Sequence, residues 1–181
     1  METRQRSSKL DDSIPLAPGA RAQLGLSVGL LCAAATSGAL VGLGLRHDTA
    51  FAPFESGGRA LLATWHLSIS AAAVAIGTGA AAHTIWMVLW GVCFSVAAAR
   101  LRGLALASAA IVFVVLLHAV AVTFLPGALG ASAYADVNAV QTALLLALQA
   151  GALGFGLTFA KQSTGDASRL AAHPKRSPNV T

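Results

Sequence analysis

Charge is what this sequence has least of. Asp, Glu, Lys and Arg make up 10% of its 181 residues, against roughly a quarter in soluble domains. None of the seven acidic residues falls within a long apolar stretch. Carriers driven by protons or sodium ordinarily couple through acidic groups at membrane depth, so this counts against an ion-coupled transporter. Cysteine is nearly absent: Cys32 and Cys93 both lie in apolar segments, and neither belongs to a CxxC or other metal spacing. They read as small buried apolar residues, and no disulfide framework follows from them. Also missing are GxSxG, HExxH, P-loop and dinucleotide motifs. No catalytic residue, metal site or cofactor is therefore assigned.

What is present is apolar. Hydrophobic residues make up 56% of the chain, more than so small a volume can hide from water. Residues 60–125 carry only two charges, Arg100 and Arg102. Residues 60–99 alone would form a helix of about 60 Å, twice the ~30 Å hydrocarbon core of a bilayer. The stretch must fold back, and its glycines predict the turn near residues 77–83. The expected fold class is all-α, a polytopic helical membrane protein with five transmembrane helices at 22–45, 60–82, 84–99, 104–125 and 137–160. Residues 1–21 and 161–181 form polar tails, the second of them basic.

Two of these spans are weak. Residues 60–82 hold Thr64, His66, Ser68, Ser70 and Thr78 with few leucines, so that helix should be surrounded by others rather than face lipid. Residues 84–99 are barely long enough to cross, although Trp86 and Trp90 suit an interfacial belt. The alternative is four spans plus one interfacial or re-entrant helix. With five spans the Lys and Arg residues divide four against eight, placing the C-terminus in the cytoplasm and the N-terminus outside. With four they divide ten against two, both tails sharing the richer side.

The net charge of +5 resides in tails and short loops. That distribution suits anionic lipid, and no nucleic-acid motif accompanies it. In the first loop, His47 beside Asp48 reads as an exposed histidine, and Phe51 and Phe54 suit the headgroup boundary. Pro126-Gly127 ends the fourth span, and Asp136 is placed to cap the next helix. Asn179-Val180-Thr181 matches a glycosylation acceptor at the chain end.

Two constellations remain. Gly25-x-x-x-Gly29 and Gly38-x-x-x-Gly42 are small-residue faces on which another helix packs closely, inside the bundle or on a partner. The second constellation is polar: counted along straight helices, His66, Ser70, Gln149 and His118 fall at depths of about 9, 15, 16 and 21 Å above one boundary. Lipid offers them no hydrogen bonds, so they are expected to turn inward as a cluster. A haem between His66 and His118 is opposed by the ~12 Å difference in depth. A metal site including His83 has less support still. The functional expectation is a multi-pass cell-membrane protein acting as a structural or regulatory subunit. Its partners are the lipid bilayer and another membrane protein or a second copy. The alternatives are a small-molecule transporter or channel using the polar cluster, and a membrane haem or redox protein.

Overall fold

The computed structural model describes residues 18–46, 48–68, 70–124 and 137–172. The described residues form five helices and no strands: α1 (Pro18–Leu45), α2 (Ala52–Thr64), α3 (Ala72–Ala97), α4 (Gly103–Phe124) and α5 (Ala139–Ala172). Four of them, α1, α3, α4 and α5, are long and apolar enough to cross a membrane. The 13-residue α2 is not. The four-plus-one alternative therefore describes the helices. His47, the Pro126-Gly127 stop, the Asp136 cap, the Asn179 acceptor and residues 1–17 and 173–181 of the tails lie outside the described residues, and α5 continues through the first part of the expected C-terminal tail to Ala172.

The fold-back lies earlier than the glycines suggested. It is the connection after α2, at residues 65–71, while α3 runs unbroken through Gly77, Gly79 and His83. Helix α2 ends in a Schellman motif. The Leu67 N–H reaches the Leu62 carbonyl at 3.0 Å, and the His66 N–H reaches that of Ala63 at 3.0 Å. His66 takes the left-handed conformation, φ 57°, that glycine usually supplies. Residues 60–82 are thus the end of α2, a connection and the start of α3, not one enclosed span.

Glycine positions the helices. Gly25 and Gly29 of α1 lie directly on Val88, Gly91 and Val92 of α3. An added Cβ at Gly25 would stand 2.6 Å from the Val92 Cα, and one at Gly29 2.5 Å from the Val88 Cα. The first Gly-x-x-x-Gly face is therefore an internal, antiparallel contact. Gly38 and Gly42 meet nothing within 4 Å, so the second face is unfilled among the described residues. Helix α2 packs on α3 in the same backbone-on-backbone way. Phe54, Gly58 and Leu62, one turn apart, form its buried face, and Gly58 and Gly79 leave no room for a Cβ against Ala75 and Phe54. Phe54 is accordingly buried, and only Phe51 stays exposed. Glu55 complements the N-terminal dipole of α2 and pairs with Arg59 at 2.7 Å.

Beyond α1, helix α5 lays Gly156 on Val28 and Leu31, and Gly154 on Ala110 of α4. Rings fill the space between α3 and α4: Trp86 on Trp90, Trp90 on Phe113, and Phe94 on Phe113, with centroids 5.2–5.8 Å apart. The two tryptophans are half-buried midway along α3, which continues past them to Ala97. Val28, Cys32, Phe94, Val114, Leu153 and Leu157 centre the core, whereas Cys93 is exposed, contrary to its expected burial. The Lys161 ammonium donates to the carbonyls of Leu101 (3.1 Å) and Ala98 (3.5 Å), closing the α3–α4 turn. Arg21, Arg100, Arg102 and Lys161 thereby gather at one end of the bundle. At the other end, α5 starts with a reciprocal capping box. The Gln141 N–H donates to Asn138 Oδ1 and the Asn138 N–H to Gln141 Oε1, both at 2.9 Å.

Candidate functional site

Away from the charged end the packing loosens into a cavity of about 270 Å³. Leu40 of α1, Phe54, Gly57 and Leu61 of α2, Trp86 of α3, Ala121 of α4, and Leu145 and Leu146 of α5 give it a mostly apolar lining. Thr36, His83, Met87, Thr142 and Gln149 interrupt that lining with polar or polarisable atoms.

Helix register brings the polar groups to one level. Thr36 and His83 each lie about 22 Å along their helices from the charged end, counted from Arg21 and Ala98. Gln149 lies about 18 Å from Lys161 by the same measure. Because α1 and α3 are antiparallel and held at Gly29 and Gly91, Thr36 meets His83: Oγ1 and Nε2 are 2.9 Å apart. The Thr36 hydroxyl also reaches back to the Cys32 carbonyl at 2.8 Å, as threonines within helices do. The Phe54 ring meets the imidazole edge-on at 5.8 Å.

One turn nearer the charged end are Cys32, Met87 and Gln149. The Gln149 amide nitrogen donates to the Met87 sulfur at 3.5 Å. That sulfur also lies 3.9 Å from Cys32 Sγ. A thioether can only accept, so the amide atom facing it is the nitrogen. This leaves Gln149, 8% exposed, with Oε1 unpartnered among the described residues. Nδ1 of His83 has no partner there either.

Of the polar cluster expected from sequence, Gln149 alone lines this cavity. His66 and Ser70 are exposed on the α2–α3 connection, beside a shallow groove with Arg59, Leu62 and Ser68. They do not share one helical face, because no helix runs through both. His118 is half-buried on α4. The shared depth that would have joined these residues, or set His66 opposite His118 across a haem, assumed a straight helix through residue 66. The Schellman stop removes that helix.

The groups that sequence reasoning missed are Thr36, His83 and Met87. His83 and Met87 stand four residues apart on α3, as Cys32 and Thr36 do on α1, and that spacing signals two matching faces. The signal is legible only once α3 is known to be continuous.

Scans against protein-family models, curated proteins and solved structures return no match to this chain.

Proposed function

We propose that this chain is a non-catalytic, multi-pass cell-membrane protein that binds a small lipophilic molecule within its bundle. The observation that carries this reading is the cavity, apolar on its walls and polar at its floor. Ligand sites generally have that composition, with a few placed polar groups fixing orientation. Met87, which lines the cavity, belongs to the same buried cluster as Phe94 and Leu153, which supports binding rather than passage through the bundle. An engineered apolar cavity of about 150 Å³ admits benzene, so about 270 Å³ suits a body of one or two rings.

Placement in the membrane follows from charge. With four crossings, ten Lys and Arg residues lie on the side of the two tails and two on the other. The positive-inside rule then puts both termini in the cytoplasm and opens the cavity toward the opposite leaflet. Helix α2, too short to cross, lies against the first half of α3 as the cavity's outer wall.

The test is saturable binding of a neutral naphthalene-sized compound to the protein in lipid nanodiscs. A Cβ at Gly57 meets nothing within 4 Å and the residue lines the cavity, so Gly57→Leu should fill the space without disturbing helix packing. Loss of saturable binding in that variant supports the reading. Equal binding in both proteins places the ligand elsewhere and refutes it.

A second reading, as a subunit packing with a partner membrane protein or another copy, rests on the unfilled Gly38 and Gly42 face. Gly38→Leu with Gly42→Leu should then reduce co-purification or self-association in mild detergent. Unchanged association removes this reading.

A further inference from the structure

The two floor atoms without partners among the described residues, His83 Nδ1 and Gln149 Oε1, specify a ligand chemistry. This deepens the ligand-binding reading above and rests on it. The Thr36 hydroxyl has one proton, and the 2.8 Å contact to the Cys32 carbonyl uses it. Toward His83 the same oxygen must then accept, so Nε2 carries the imidazole proton. This assignment, made from the hydrogen-bond network, satisfies both contacts; the opposite tautomer satisfies one. A neutral imidazole protonated at Nε2 presents Nδ1 as an acceptor. Gln149 likewise presents Oε1 as an acceptor, and its amide retains one N–H beyond the one given to Met87.

His83 and Gln149 thus offer two acceptors and one donor, Thr142 stands two turns from Gln149 along α5, about 10 Å away, and no residue lining the cavity carries a formal charge. A carboxylate or phosphate would meet two lone pairs without a cation, and an ammonium would be desolvated without a carboxylate. A ketone or ether would use the single N–H and leave both acceptors unmet. A hydroxyl group accepts that N–H and donates its one proton to one of the two acceptors, His83 Nδ1. His83 and Gln149 both flank Met87, His83 one helical turn away and Gln149 in contact with its sulfur.

We propose that the cavity selects a neutral lipophile bearing a hydroxyl group, an alcohol or a phenol. The hydroxyl sits on His83 and Gln149, and an apolar body of one or two rings lies among Phe54, Leu61 and Leu146.

The experiment compares two probes of one shape, 2-naphthol and 2-methoxynaphthalene, on the full chain in phosphatidylcholine nanodiscs. Only saturable binding beyond that of empty discs is counted. In the wild-type protein 2-naphthol should bind more tightly by up to about tenfold, the worth of the one neutral hydrogen bond that its proton donates. His83→Phe should bring 2-naphthol close to the ether's affinity and leave the ether unchanged, whereas Gln149→Leu should weaken both probes, because each accepts from its N–H. Equal wild-type affinities would overturn the hydroxyl assignment while leaving a ligand-binding cavity. Saturable binding of neither probe to correctly folded protein would overturn the ligand-binding reading itself. The wild-type comparison needs no substitution, so it decides even where a variant fails to fold.

Discussion

The two Gly-x-x-x-Gly motifs of α1 look alike in sequence and differ in surroundings, which makes a controlled comparison possible. Consider Gly29→Ala against Gly38→Ala. At Gly29 the new methyl would lie 2.5 Å from the Val88 Cα and 2.9 Å from the Met87 carbonyl oxygen. Both atoms are backbone and cannot rotate away. Carbon atoms pack at about 3.5–4.0 Å, so α1 and α3 must part by about 1 Å. Overpacking of this kind costs about 1–3 kcal/mol. At Gly38 nothing stands within 4 Å, and no such term applies. Both variants gain the same helix propensity, about 1 kcal/mol for Ala over Gly. Their difference therefore isolates the crossing: Gly29→Ala should be less stable than Gly38→Ala by about 1–3 kcal/mol. Unfolding by SDS in mixed micelles, followed by tryptophan fluorescence, measures it directly. Coincident unfolding curves would refute the assigned α1–α3 contact.

Three further outcomes are expected. His66→Gly should stabilise the protein by roughly 0.5–1 kcal/mol, because glycine removes the left-handed strain and returns part of that gain as unfolded-chain entropy; destabilisation in the same SDS titration would mean that the His66 side chain makes a contact of greater worth. Asn138→Ala breaks the capping box of α5 and should cost about 1 kcal/mol, with faster amide hydrogen exchange confined to the first turn of that helix. Compartment reporters fused after Arg21 and after Lys161 should both indicate the cytoplasm, and opposite compartments would restore five crossings.

Much of this architecture was legible in the residues, and the misreadings have physical causes. Apolar length and scarce charge suffice for a helical membrane bundle, because lipid forces every backbone group into a helix. They do not locate a break. Gly77 and Gly79 looked like a turn because glycine is flexible, yet Gly79 is there to admit the α2 backbone, as its contact with Phe54 shows. The true stop uses His66 at a positive φ, a role for which histidine gives little warning. Gln149 was identifiable because a lone amide in an apolar helix needs company. Its companions were not, since His83 and Thr36 meet across 47 residues of sequence only in the register that the glycine contacts impose. Thr36, with its hydroxyl turned to its own helix, carries only the four-residue spacing it shares with Cys32.

The tight crossing at Gly25, Gly29 and Gly91 also acts as a fulcrum. Thr36 lies about 10 Å beyond Gly29 along α1, so tilting α1 against α3 by about 5° carries Thr36 roughly 1 Å from His83. That displacement is enough to open a 2.9 Å hydrogen bond and to widen the cavity mouth, while the clamped half of the bundle hardly stirs. A shim placed between the helices near Thr36 would be felt as leverage rather than compression, and its effect would emerge at the ends of α1 and α3 farthest from the charged side. In such a pair of tongs the few atoms of glycine backbone at the pivot would set how far the helices spread.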